Sequence, residues 1–264
     1  MRIHFYKYQA TGNDFVVIDN REGKIVFSRE QISRVCDRRF GVGADGLMLI
    51  EQDPQVNFNL HYFNSDGSQS LCGNGSRAAV KFASHLGMIN GKATFNAYDG
   101  GHVAELFPSG IVKFKLNNVS RVVQHGDDHF INTGSPHYIR FVSDIQHYPV
   151  VEEGRKIRYS DAFKPGGTNV NFVALEADNT IFVRTYERGV EDETLSCGTG
   201  VTAAALAASL RGYRSPVRIK TLGGELSVDF EKSQTGHPDA QSAGFQEIFL
   251  SGPAKMVFEG DLEL

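Results

Sequence analysis

Short alternations of apolar and polar residues dominate the chain. VNFNLHYF (56–63) places Val56, Phe58, Leu60 and Tyr62 on one face and Asn57, Asn59 and His61 on the other, the two-residue period of a half-buried strand. IVKFKLN (111–117), TIFVRTY (180–186), VRIKT (217–221), ELSVDF (225–230) and QEIFLS (246–251) read the same way. Helical patterns are few. One is predicted from Ser28 to about Arg38, with Gln31 completing a capping box. Two more are predicted directly after two Cys-Gly motifs, ending before Gly87 and Gly212 as left-handed caps. The second, VTAAALAASL (201–210), is apolar on nearly every side. A helix with no face for water must be enclosed by protein, and a curved sheet is the expected enclosure. The helix at 75–86 is partly similar, but Arg77, Lys81 and His85 would need a route to solvent.

The two Cys-Gly motifs belong to a larger repeat. LCGNGSRAAV (71–80) corresponds to SCGTGVTAAA (196–205), TGNDFVVI (11–18) to TGSPHYIRF (133–141), and FNSDGSQSLCGNG (63–75) to YERGVEDETLSCGTG (186–200). The order in each half is a Thr-Gly turn, a strand ending in a polar pair, a loop, the motif and a helix. The expected fold is α+β (mixed α/β): two pseudo-symmetric domains, each a curved β-sheet or barrel wrapped around a central buried helix. The division is expected at 1–118, carrying Cys72, and 119–254, carrying Cys197, with a strand at 255–264 returning to the first domain. NNVSRVVQHGDD (117–128) is the most linker-like stretch.

Composition narrows the function classes. With 264 residues, 41% of them hydrophobic, the chain can build a real core, and a net charge of −4 gives no global field for nucleic acid. The N-terminus lacks an apolar signal core, and no apolar run approaches the roughly 20 residues that span a bilayer. No membrane association and a cytoplasmic location are expected. Three cysteines and no C-x-x-C pair suit a reducing compartment and signal no zinc ribbon or thioredoxin-like site. Cys36 reads as a small core residue. GVGADG (41–46) matches a dinucleotide fingerprint literally, but a helix precedes it and a strand follows, the reverse of the required context.

A cysteine just before a helix meets unpaired N–H groups and the positive dipole end, which stabilise a thiolate. The same N–H groups bind carboxylates, and the glycines at 73, 75, 198 and 200 let a ligand approach the backbone. If the two domains face each other, both helices aim into one cleft, with Cys72 and Cys197 flanking it. Two thiols, one ionised and one protonated, could then invert a carbon bearing a weakly acidic hydrogen.

TGNDFVVID (11–19), DRRFGVGADGL (37–47), FNSDGS (63–68), CGNGSR (72–77), TGSPHY (133–138), GTNVNF (167–172), YERG (186–189) and CGTG (197–200) together resemble diaminopimelate epimerase from end to end. The resemblance implies a cofactor-independent isomerase, without pyridoxal phosphate or metal. It would interconvert LL- and meso-2,6-diaminopimelate in lysine and peptidoglycan-precursor synthesis. It makes Cys72 and Cys197 the acid–base pair. Gly73, Asn74, Gly198 and Thr199 would bind the reacting carboxylate, and Asn13 would lie nearby. Asn64, Asn169, Glu187 and Arg188 would recognise the far end, and His137 and Glu187 would tune the thiols. The implied partner is the small-molecule substrate; a homodimer is left open. Ser135 stands where many members carry Asn and Gly46 where some carry Gln, and the loop before Cys197 is one residue longer than the commoner form. Two rival readings stay open at this stage: a two-thiol racemase for another amino acid, and a non-catalytic amino-acid-binding protein.

Overall fold

In the computed structural model, which describes residues 2–233 and 243–263, the alternating segments become strands and the apolar runs become elements buried on both sides. Contacts divide the chain into two units, Met1–Phe114 with Gly252–Leu264, and Lys115–Ser251. The joint therefore lies a few residues before the 118/119 boundary read from the sequence.

The first unit opens with β1 (Arg2–Ala10) and β2 (Asn13–Asp19), then α1 (Arg29–Cys36), β3 (Gly46–Glu51) and β4 (Phe58–Asn64). It continues with α2 (Gly73–His85), β5 (Lys92–Ala97), β6 (Gly100–Leu106) and β7 (Ile111–Lys115). Ser28 caps α1 in a complete capping box, and the helix stops at Cys36. β2 and β3 run parallel, pairing Phe15 with Gly46 and Val17 with Met48. Their buried runs alternate between two cores. Val16, Ile18, Leu47 and Leu49 pack against Ile32, Val35 and Cys36 of α1, and α2 packs on β1, β2, β3, β4 and β6. Strands covered on both faces need no polar side, which is why the amphipathic pattern fails there. Burial pushes the Cys36 thiol up to about 12, an inert core group.

The second unit repeats this order: β8 (Val122–His125), β9 (Asp128–Asn132), β10 (Pro136–Phe141), α3 (Val150–Arg158), β11 (Asn169–Glu176) and β12 (Thr180–Glu187). The rest is β13 (Asp192–Thr194), α4 (Gly198–Ser209), β14 (Val217–Thr221), β15 (Gly224–Ser233) and β16 (Gly244–Pro253). β10 and β11 are parallel, as β2 and β3 are, and α3 stands where α1 stood. α4 packs on β9, β10, β11, β12, β14 and β15, and apart from Thr199 its residues are buried. Small side chains let the strands close around it. The chain's last strand, β17 (Lys255–Glu263), returns to the first unit and pairs antiparallel with β1; Leu264, the end of the strand read from the sequence, lies outside the described residues.

Two expectations need correction. The stretch 117–128 is not a linker: Val122–His125 pairs with Asp128–Asn132 in a hairpin turning on Gly126, φ 63°. The chain also has a helix, α3, that strand patterning conceals. Glu152 and Glu153 in its first turn and Arg155, Lys156 and Arg158 in its last suit the helix dipole. Mid-helix Gly154 lies against Tyr186, where an added Cβ would meet the Tyr186 Cβ at 2.4 Å.

Candidate active site

In the first unit Cys72 is the N-cap of α2, and its Sγ accepts the Gly75 N–H at 3.3 Å. Asn13 Oδ1 lies 3.5 Å from the same sulfur. The orientation of Asn13 is fixed, because its Nδ2 donates to Asp45 Oδ2 at 2.6 Å and only a nitrogen can face a carboxylate there. Its carbonyl oxygen is thereby turned to Cys72 and to Asn74 Nδ2, 3.3 Å away. Arg77 Nη2 holds Asn74 in turn, donating to Oδ1 at 2.8 Å.

Arg77 is fully buried, contrary to the expected route to solvent. Its guanidinium also donates to Thr11 Oγ1 and to the Gly73 carbonyl, each at 3.3 Å, and Nε has no hydrogen-bond partner among the described residues. Backbone and amide oxygens absorb the charge, and no carboxylate pairs with it among the described residues. Burial lowers its pKa to about 10, opposed by the charge of Cys72, so Arg77 is a cation at neutral pH. Beneath Asn13, Asp14 pairs with Lys7 and Arg38, both at 2.7 Å. Burial pushes the Asp14 carboxyl up, but those two cations outweigh it and hold it at about 2. Arg38 also reaches Asp45 at 2.7 Å, fixing the 37–46 loop under the site. Gly46 is explained by Tyr62: an added Cβ would lie 2.6 Å from Tyr62 Cε2 and 2.6 Å from the Phe63 carbonyl oxygen. Asn64 ties its own turn together, donating to Ser68 Oγ at 2.9 Å and Ser70 Oγ at 3.2 Å.

In the second unit Cys197 is the N-cap of α4, with Sγ 3.6 Å from Thr199 Oγ1. That hydroxyl lies 2.9 Å from His137 Nε2, and His137 Nδ1 lies 3.1 Å from Asn171 Nδ2. His137 and Asn171 are fully buried. Burial, and then the charge of Arg188, hold the imidazole pKa at about 3, so His137 is neutral. Its two nitrogens go to Thr199 and Asn171.

The remaining candidates cluster at the end of β12. Asn169 donates to Ser135 Oγ and the Pro136 carbonyl, both at 2.9 Å, and accepts the Arg188 N–H at 2.8 Å. Ser135 thus serves as a short acceptor for Asn169. Glu187 Oε2 accepts from Thr194 Oγ1 at 2.7 Å. The Arg188 guanidinium is exposed, its one hydrogen bond among the described residues being 3.4 Å to the Gly166 carbonyl. Glu191 anchors this loop through Arg158 at 3.0 Å, Tyr159 at 2.8 Å, Tyr186 at 3.1 Å and the Gly189 N–H at 3.0 Å. Burial raises its pKa, but those donors prevail and hold it at about 2. The acidic run after Arg188 is therefore a built clamp.

Sequence reasoning overlooked Arg77, Asn171, Asp45 and Glu191. Two carried a signal: a lone arginine in an apolar helix, and an asparagine inside the buried run NVNFVAL (169–175).

A family model described as diaminopimelate epimerase matches residues 5–123 and again residues 129–245. The chain belongs to the diaminopimelate epimerase family. The paired matches make the two units a duplication within that family. A diaminopimelate epimerase of Flavobacterium psychrophilum is 46% identical over 260 residues, covering 96% of this chain and 98% of that protein. One from Aquifex aeolicus is 42% identical, covering 98% of each. Among solved structures, a Bacillus anthracis phenazine biosynthesis protein of the PhzF family superposes with a TM-score of 0.74 at 14% identity, over the whole of both chains. A hydroxyproline epimerase from Agrobacterium vitis superposes at 0.70 and 13% identity, covering 99% of this chain and 92% of that one. At such identities these share the mixed α/β fold alone. Among the described residues, no group of three or more His, Cys, Asp or Glu could hold a metal ion, and no helix is long and apolar enough to cross a membrane.

Proposed function

We infer that the chain interconverts LL- and meso-2,6-diaminopimelate, a step of lysine biosynthesis, by exchanging protons between the substrate's α-carbon and Cys72 and Cys197. The observation that carries the assignment is the duplicated N-cap: each unit of a diaminopimelate epimerase family member ends a loop on a cysteine that opens a buried, glycine-started helix.

The reaction needs a base on one face of the α-carbon and an acid on the other. One thiolate takes the α-proton and becomes a thiol, while the C–H electron pair moves into the adjoining carboxylate. The other thiol delivers its proton to the opposite face and becomes the thiolate, so the two sulfurs have exchanged roles. The charge gathering on the carboxylate is best met by fixed N–H dipoles, which helix starts at Gly73-Asn74 and Gly198-Thr199 supply. Asn13 steadies the reacting end through its contact with Cys72. At the far end Arg188 offers a carboxylate an almost unengaged guanidinium fork. Glu187 pairs with the distal ammonium, and Asn64 and Asn169 shape the polar surround.

The test is substrate choice. LL-diaminopimelate should yield the meso form and the reverse, while lysine, alanine and glutamate should fall at least about a hundredfold in kcat/KM. Each leaves a charged group of the site unpaired, at a cost on the order of 3 kcal/mol. Arg188→Lys should also lose activity, since a point charge cannot replace the fork. Comparable kcat/KM for alanine and diaminopimelate would reduce the assignment to a two-thiol racemase of another specificity.

A further inference from the structure

Three buried side chains behind Cys197, Asn171, Thr185 and His137, join the half-buried Thr199 in a chain whose polarity can be read without seeing a hydrogen. It starts at the Tyr138 carbonyl, which can only accept. Asn171 lies 3.3 Å from it through Nδ2, so the amide must present its nitrogen there. Thr185 supports that orientation from the other side, donating to Asn171 Oδ1 at 2.9 Å. The second Nδ2 hydrogen then meets His137 Nδ1 at 3.1 Å, which must be the unprotonated, accepting nitrogen. A neutral imidazole carries its one proton on the other nitrogen, so Nε2–H donates to Thr199 Oγ1 at 2.9 Å. With its oxygen already accepting, the Thr199 hydroxyl has its own hydrogen to give, and the Cys197 sulfur lies 3.6 Å away. The backbone packs tightly on the amide: Gly200 lies so close that an added Cβ would sit 2.3 Å from Asn171 Oδ1.

We propose that Asn171 is a positioning residue that fixes the His137 tautomer, so that Thr199 presents a hydroxyl donor to the Cys197 thiolate. The proposal rests on the reading of Cys197 as an acid–base group. Its role is one of direction: Asn171 hydrogen-bonds Tyr138, His137 and Thr185, and transmits only which end of each hydrogen bond carries the proton. A donor at the sulfur favours the thiolate and so strengthens Cys197 as the base that removes the α-proton.

Nitrogen NMR of His137 in the full-length protein tests this independently of turnover. The expected spectrum is a neutral imidazole protonated on Nε2, unchanged from about pH 5 to about pH 8. A ring protonated on Nδ1, or an imidazolium, in the unaltered protein would overturn the proposal whatever the activity. Asn171→Asp keeps the shape but reverses the polarity, so it should move the proton to Nδ1 and lower kcat by about tenfold or more. Thr199→Val should lower kcat similarly while leaving the His137 proton on Nε2. An Asn171→Asp ring still protonated on Nε2, or a folded Thr199→Val enzyme within about twofold of the normal kcat, would also overturn it. If the unaltered protein converts no diaminopimelate at all, it is the functional reading that fails, and the tautomer still decides the hydrogen-bond assignment.

Discussion

Cys72 and Cys197 occupy the same frame and have unlike surroundings. Both cap a helix that starts Gly-polar-Gly. Strand register makes Phe15 the counterpart of His137, Met48 of Asn171 and Tyr62 of Thr185. The three strand residues of the neutral relay behind Cys197 are thus replaced in the first unit by apolar or aromatic residues, while its helix residue Thr199 corresponds to Asn74. Polar support there comes from the helix itself, through Arg77, whose counterpart Thr202 merely back-bonds to the Gly198 carbonyl at 2.9 Å. The network behind Cys72 ends on an acceptor, Asn13 Oδ1, and includes a buried cation. The chain behind Cys197 ends on a hydroxyl and contains no charge. Duplication preserved a cysteine at the helix N-cap, although only Cys72 accepts a helix N–H there, whereas the side chains around each sulfur diverged.

The bluntest way to break the comparison is to remove a sulfur. Cys72→Ala and Cys197→Ala should each lower LL-to-meso conversion by about a thousandfold or more with the fold intact. Turnover near normal in either would show that one thiol suffices. Arg77→Met should act on one side only. The Cys72 thiolate titration, followed at 240 nm, should move up as the neighbouring cation is lost, and kcat should fall about tenfold, with Cys197 unmoved. Because no carboxylate pairs with the buried charge among the described residues, the same variant should keep its stability or gain about 1 kcal/mol. A Cys72 titration that does not move would remove Arg77 from the account.

The second glycine of each motif sharpens the contrast. An added Cβ at Gly75 meets nothing nearer than the Cys72 Cβ at 3.3 Å, with Met48 Sδ at 3.5 Å, whereas at Gly200 it meets Asn171 Oδ1 at 2.3 Å. Gly200→Ala should therefore cost about 2 to 3 kcal/mol in urea unfolding and Gly75→Ala less than about 1. Equal costs would mean that Asn171 is free to move. His137→Phe, which imports the first unit's residue, probes the pH dependence. The folded pKa of about 3 lies below the unfolded value, so unfolding takes up a proton below about pH 6.5 and stability falls as the pH drops. Between about pH 7 and about pH 5 this loss is about 2 kcal/mol, and the variant should be spared it. His129, lowered chiefly by burial, adds a share of the same sign that both proteins retain. An unchanged slope in the variant would mean that His137 titrates normally.

The strands, the three helices with cap signals and the enclosure of α4 were legible because each rests on local pattern: period two, a capping box, a helix without a polar face. α3 was not, since its apolar positions are sparse and Gly154 breaks the pattern. The repeat could have supplied it, because α1 holds the same place between parallel strands. The cysteines and the residues of their motifs were legible because the chain writes the motif twice. Arg77 and Asn171 were not. Each looks misplaced in its own segment, and only the fold shows that Thr11 and Asn74 receive one and that Tyr138 and His137 orient the other. The linker-like polarity at 117–128 misled for a related reason: an exposed hairpin is as polar as a linker.

The most direct test of the central claim, that two unlike thiols take opposite halves of one proton exchange, is turnover of LL-diaminopimelate in D₂O at low conversion. A thiol that returns its captured proton regenerates protiated substrate, while the other sulfur delivers one drawn from solvent. At less than about a tenth of conversion, the meso product should carry deuterium at the inverted carbon and the remaining LL substrate should not. A meso product that keeps its protium, or equal label in substrate and product, would mean that a single base serves both faces and would contradict the account.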